Sequence, residues 1–213
     1  MRKVFEIGGI VAAAVLIAFG IGALVLGING RSTVRDSLNS EQIVGSDDMT
    51  PAAIAAEAKE AGLPATTKLP TVDIAGQAID TGDRARVFAS YMRIHALESS
   101  GGLTNSQMGR FVAAKDPADP AGTSDETAAA KDATGAPIAN AARNTWVTET
   151  ALATALNVSY MAEKTALFGI VVGIALLLTG FGFAILAAGG ALRKQRAPAQ
   201  GRNTLVTAET TLA

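Results

Sequence analysis

The side chains able to do chemistry in this chain are few and scattered. His95 is the single histidine and cysteine is absent. That excludes thiolate zinc sites, disulfide frameworks, iron–sulfur clusters, cysteine nucleophiles and lipid attachment through cysteine. It also excludes any metal site that draws two histidines from one chain. His95 follows Arg86 and Arg93 and precedes Glu98 on one predicted helix. A catalytic imidazole needs a nucleophile or an orienting carboxylate fixed by the fold. The local sequence supplies neither, so the reading assigns no catalytic residue, no cofactor and no metal ligand. Arg86, Arg93 and His95, with Arg84, are instead weak candidates for a face that binds an anionic headgroup or polymer.

Other motifs fall short in definable ways. Asp116, Asp119, Asp125 and Glu126 are acidic enough to suggest calcium, but their spacing departs from an EF-hand loop and suits a polar linker. Asn157-Val158-Ser159 fits the glycosylation acceptor pattern on a stretch that reads as helix. Gly20-Ile21-Gly22 and Gly180-Phe181-Gly182 begin like a dinucleotide fingerprint. Val25 and Ile185 stand where its third glycine belongs, inside apolar runs. With 18 basic and 19 acidic residues, the chain has no electrostatic footprint for nucleic acid.

The elements that would position these side chains are dominated by two uncharged stretches. Only 17 % of the 213 residues are charged, below the quarter or so of an ordinary soluble chain. Residues 7–28 carry no charge and amount to roughly 33 Å of helix, enough for a hydrocarbon core of about 30 Å. Residues 165–192 form a second such stretch, bracketed by Lys164 and Arg193, with Thr179 its clearest polar side chain. Both read as membrane spans. The apolar run after Arg2 and Lys3 exceeds that of a cleaved signal peptide, and no small-x-small site follows it, so an uncleaved anchor is expected.

The tails carry Arg2, Lys3, Arg193, Lys194, Arg196 and Arg202, whereas residues 29–164 hold 12 basic against 17 acidic residues. The bias puts tails 1–6 and 193–213 in the cytoplasm and the connection outside, in a plasma membrane, although Arg31 and Arg35 oppose it. The spans contain no Asp, Glu, Lys, Arg or His, which argues against a transporter or channel acting alone. They do carry small residues four apart: Gly169 and Gly173 in the second span, and Gly8 with Ala12, Gly9 with Ala13 and Ala18 with Gly22 in the first. Such pairs let a second backbone approach closely. They mark helix-association candidates, within the hairpin or toward another chain.

The connection contains five aromatic residues, Phe88, Tyr91, Phe111, Trp146 and Tyr160, so a large independent core is not expected. Thr50-Pro51 followed by an alanine-rich run, Gly62 and Pro64 reads as a complete short helix with its cap and its stop. A second helix is predicted over 83–98, capped by Asp80 or Thr81, with Val87, Tyr91 and Ile94 on one stripe beside Phe88 and Met92. Residues 65–79 suggest a short strand or extended piece, and 115–140 a flexible linker. From 144 one helix is predicted to run into the second span. Val147, Ala151, Ala155, Val158 and Ala162 form its small-residue stripe, flanked by Leu152 and Leu156, with Val34 and Leu38 as packing partners.

Several segments together resemble a group of two-span actinobacterial membrane proteins. They are Arg2-Lys3-Val4-Phe5-Glu6, the end of the first span from Gly27 through Asn29-Gly30-Arg31 to Arg35, Asp48-Met49-Thr50-Pro51, Tyr91-Met92-Arg93-Ile94-His95, and Trp146-Val147-Thr148-Glu149. Members of that group often carry the label "aromatic ring-opening dioxygenase". Extradiol ring opening uses non-haem iron held by two histidines and a carboxylate, a ligand set that one histidine does not supply. The resemblance therefore implies architecture and a cell-envelope setting, and no activity.

The sequence thus predicts a mainly α protein: a two-span membrane helical hairpin with an extended stalk and a small, mostly helical extracytoplasmic cap over 45–140. Its expected role is that of a non-enzymatic structural or accessory component acting through helix association. The alternative is an outward ligand-binding or sensing module. Expected partners are the lipid bilayer and either a second copy or another membrane protein.

Overall fold

The computed structural model describes residues 2–189, with side chains from Ile7 onward. The basic residues of the tails therefore lie outside the described side chains, as do residues 190–192 of the second apolar stretch. Four helices account for most of the described chain: α1 (Arg2–Ser40), α2 (Pro51–Glu60), α3 (Gly82–Ser99) and α4 (Ala141–Ala188). No strand occurs among the described residues, only isolated bridges such as Val44 with Ala78. The chain divides into two compact units. One contains the described parts of Met1–Gly20 and Ala175–Ala213, and the other is Ile21–Ile174.

α1 and α4 each contain a stretch long and apolar enough to cross a membrane, and they pack against each other. In the smaller unit Gly180 is buried, and a β-carbon there would lie 2.8 Å from Ile17 Cγ1 and 3.2 Å from the Ala13 carbonyl oxygen. In the larger unit a β-carbon at Gly27 would lie 2.7 Å from the Ala166 carbonyl oxygen, and Gly169 approaches Ala23 and Gly27. Only glycine permits the approaches at Gly27 and Gly180, whereas a β-carbon at Gly169 would meet ordinary contacts at 3.6 and 3.8 Å. Buried small residues recur at sevens, Ala13, Gly20 and Gly27 on α1 and Gly173, Gly180 and Ala187 on α4.

The helix-association candidates therefore divide. Gly169 and Gly173 belong to the packed seam, whereas Gly8, Ala18 and Gly22 are exposed and Ala12 is half-buried. The close contacts use Gly27 and Gly180, neither of which forms the four-residue pairs singled out above.

The larger unit holds the core. Thr50 caps α2 by accepting from the Ala53 N–H, and Gly62 leaves the helix at φ +65°. Thr81 caps α3 in the same way through the Arg84 N–H, while Asp80 pairs with Arg84 instead. The buried faces of these helices, Ile54 and Ala58 on α2 and Phe88, Tyr91 and Ile94 on α3, join Met49, Ile74 and Ile79 in one cluster. Leu38 of α1 and Leu156 of α4 complete it, with Val34 and Ala153 against its edge. The small aromatic content of this region is thus offset by apolar surface borrowed from the two long helices. Tyr91 is fully buried and its hydroxyl donates to the Val72 carbonyl at 3.0 Å.

Three expectations need correction. The stalk helix begins at Ala141 rather than 144, because Asn140 is a good cap: its side-chain oxygen accepts from the Arg143 N–H while its amide donates to the Gly109 and Pro120 carbonyls. The inward face of α4 is set by Trp146, Leu156 and Glu163, and Val147, Ala151, Ala155, Val158 and Ala162 face outward. Large side chains bury more apolar area than the small-residue stripe, and they win the inner position. The segment 115–140, expected to be a flexible linker, carries bridges from Phe111 to Thr123 and Ala139, and from Ala113 to Ala129. Its aspartates build turns. Asp116, Asp119, Asp125 and Asp132 each accept from a backbone N–H two residues on, a local role that accounts for the acidic cluster.

Candidate functional site

The site lies where α2, α3 and the upper part of α4 converge. Glu57 flanks the buried Ile54 and Ala58 on α2, and His95 follows the buried Ile94 on α3. Each polar side chain is therefore carried at the edge of an apolar face that fixes its helix. Asp48 is placed the same way by its neighbour Met49, which is 3 % exposed.

His95 Nδ1 lies 2.8 Å from Glu57 Oε1, and Nε2 lies 3.8 Å from Asp48 Oδ2. Asp48 also accepts a hydrogen bond from the Ser46 hydroxyl. One ring nitrogen and one oxygen from each carboxylate all fall within 4.8 Å of one another. Two further acids adjoin them. Burial raises the pKa of Glu98, and the neighbouring Glu57 carboxylate raises it further, against a lowering by His95. Burial also raises the pKa of Glu149 on α4, with His95 lowering it and Glu98 raising it. One oxygen of Glu149, Oε2, is buried without a hydrogen-bond partner.

Beside this cluster runs an open cleft of about 340 Å³ between α3 and α4. Glu149, Arg93, Lys68 and Asn157 give it polar walls, and Ala89, Met92 and Ala153 give it apolar ones. A surface of this kind fits a small ligand that carries both charge and an apolar part.

The arginines named from sequence do not converge on an anion site. Arg86 lies over the Tyr160 ring at 4.5 Å and Arg93 over the Trp146 ring at 4.3 Å, so both clamp α3 to α4 through cation–π contacts. Arg84 pairs with Asp80 at 2.6 Å. His95 is the one candidate that the fold brings into a cluster, and its neighbours are carboxylates rather than arginines. Sequence reasoning missed Asp48, Glu57 and Glu149. The available signal was a charged residue at the border of each predicted apolar stripe.

A second polar centre lies toward the apolar hairpin. Glu163 is 6 % exposed and accepts from Arg31 Nε at 2.9 Å, Arg35 Nε at 3.4 Å and the Gly82 N–H at 2.6 Å. Burial raises its pKa, but these donors outweigh that and hold it below its ordinary value. Lys164 pairs with Asp83 at 2.9 Å beside it. This centre ties α1, α3 and α4 together, and both carboxylate oxygens accept a hydrogen bond.

No protein-family model, curated protein or solved structure matches this chain.

Proposed function

We propose that the chain crosses the plasma membrane twice, with both termini cytoplasmic, and presents residues 41–140 on the outside as a non-enzymatic ligand-binding or sensing module. The two apolar helices and the basic tails support the membrane part. The observation that carries the binding part is the cleft between α3 and α4, lined by a glutamate with a buried, unpartnered oxygen. Buried polar atoms in native proteins are normally paired, so this oxygen can accept from a molecule bound in the cleft.

Sequence reasoning ranked helix association first. The tightest small-residue contacts, at Gly27 and Gly180, are consumed within the hairpin, which moves the weight to the outer region. The accessory-component reading keeps one specific support. Ala18 and Gly22 are exposed four residues apart on α1, with open space at Gly22, and such a face suits a second membrane helix.

Absence of cysteine makes the topology directly testable. A single cysteine at Thr134 should react in intact cells with a maleimide that does not cross membranes, and one at Gln195 should react only after lysis. The reverse pattern overturns the orientation. To separate the readings, tagged protein is purified in mild detergent and its co-eluting molecules are compared between Lys68→Glu and Gly22→Leu. Loss of a bound species in Lys68→Glu alone supports the binding module. Loss of a stoichiometric membrane partner in Gly22→Leu alone favours the accessory role.

A further inference from the structure

Three segments meet at His95: the turn before α2, α2 itself, and α3. Each presents one donor of a type that binds divalent metals, an imidazole nitrogen or a carboxylate oxygen, and the three lie within 4.8 Å of one another. The spacing matters because ligands on one ion about 2.0–2.2 Å from the metal sit about 3–4 Å apart. The 2.8 Å contact is made through Nδ1 and the 3.8 Å contact through Nε2, so one ring nitrogen serves the ion, and the carboxylate on the other side must rotate from within 4.8 Å onto the common centre. The donors are held in advance, since Met49, Ile54, Ala58, Ile94 and Ala96 beside them are buried.

The charge balance points the same way. Asp48 and Glu57 contact His95 directly, and Glu98 and Glu149 lie close enough to feel its charge. His95 offers its two ring nitrogens to Glu57 and Asp48 and has none left for the other two acids. Arg93, the closest basic residue in sequence, is stacked on Trp146. Glu149, on a third helix, has an oxygen without a hydrogen-bond partner that could turn toward such a centre.

We propose that Asp48, Glu57 and His95 bind one divalent first-row cation of the Zn²⁺ or Mn²⁺ class, with Glu98 and Glu149 completing its charge balance. Mixed imidazole and carboxylate donors suit such ions better than Ca²⁺ or Mg²⁺, which take oxygen ligands. This rests on reading the outer region as a binding module and names one ligand of it. The ion would join α2 to α3 and stiffen the wall of the adjoining cleft.

The test uses the full chain in detergent, stripped with chelator and dialysed against Zn²⁺ or Mn²⁺, with bound metal measured by mass spectrometry. One ion per chain is expected, with affinity falling about 100-fold or more in His95→Asn, since even outer partners of metal ligands cost about 10–100-fold. Asp48→Asn provides a second variant that spares the core, because that side chain is 52 % exposed. It should weaken binding at least tenfold while thermal unfolding of the metal-free protein is unchanged. Absence of stoichiometric metal in folded wild-type protein overturns the proposal, as does equal binding in both variants, which marks an adventitious ion only. The maleimide and Lys68→Glu experiments do not depend on metal, so their failure identifies a fault in the underlying reading instead.

Discussion

Glu149 and Glu163 stand four turns apart on the same helix and show how differently one fold treats two carboxylates. Glu163 has both oxygens engaged, by two arginines and a backbone N–H, and its charged form is favoured. Glu149 has an oxygen sealed from solvent with nothing to accept from, and its charged form is disfavoured. Both are partly or fully withdrawn from water, so burial alone does not separate them; the supply of donors does. A satisfied buried charge holds elements together, and an unsatisfied one next to a cleft is a cost that a ligand can relieve. The difference separates the scaffold from the working part of this molecule.

The sharpest way to break the comparison is to remove the satisfied carboxylate. Glu163→Ala should cost about 2–3 kcal/mol, below the roughly 3–5 kcal/mol for a fully buried pair. The discount arises because the Arg31 and Arg35 side chains are 42 % and 41 % exposed and can return to water. The measurement is chemical or thermal unfolding in detergent micelles. The lowered pKa also fixes a sign. Stability from Glu163 is present above the ordinary carboxylate pKa and lost as pH falls through the lowered folded value. Wild type should therefore lose stability in acid more steeply than Glu163→Ala. Parallel acid profiles would show that the ion pairs contribute nothing.

A smaller effect is expected at the donor that carries no charge. Gly82 begins α3 and its N–H points at Glu163 Oε2. A β-carbon there would lie 2.9 Å from that oxygen and 2.9 Å from Tyr160 Cα. Gly82→Ala must therefore push α3 away from α4 and lengthen the hydrogen bond, at a cost of about 1–2 kcal/mol, within the range for overpacking. Unfolding of Gly82→Ala alone and combined with Glu163→Ala checks this. If the two losses add fully, the glycine acts through backbone space and not through the carboxylate.

What was legible in the sequence was local. Thr50 with Pro51 and Thr81 with the stripe through Tyr91 and Ile94 are short-range patterns, and they produced α2 and α3 within a residue or so. The two apolar stretches were equally plain, because lack of charge over twenty residues needs no partner to be recognised. The illegible part was long-range. Arg31 and Glu163 are 132 residues apart, and nothing near Glu163 in sequence distinguishes it from a solvated residue on a helix. The inward face of α4 was misread because its small-residue stripe looked like a packing seam, whereas Trp146 and Leu156 decide which side is covered. His95 drew attention as a lone histidine, but its meaning comes from Glu57 on another helix and Asp48 in a turn. Pairing across helices is a property of the assembled core, and periodicity within one segment does not report it.

The smallest effect, and the one opposite in sign, is expected at Glu149. In metal-free protein Glu149→Gln removes a disfavoured charge, keeps the shape of the side chain and supplies donors toward Glu98. An unpaired buried acceptor costs about 1–3 kcal/mol, and the partial exposure of Glu149 places the gain at the low end, about 1 kcal/mol at neutral pH. The raised pKa sets the pH window. The protonated form is favoured in the folded chain, so its contribution is complete below the ordinary glutamate value and disappears as pH rises through the raised one. Glu149→Gln should thus exceed wild type near neutrality and lose its advantage in acid, where wild type is already protonated. Unfolding midpoints across that range read this directly. An advantage that persists in acid would assign the effect to packing, and a loss of stability at every pH would mean that Glu149 has a partner that makes it structurally equivalent to Glu163.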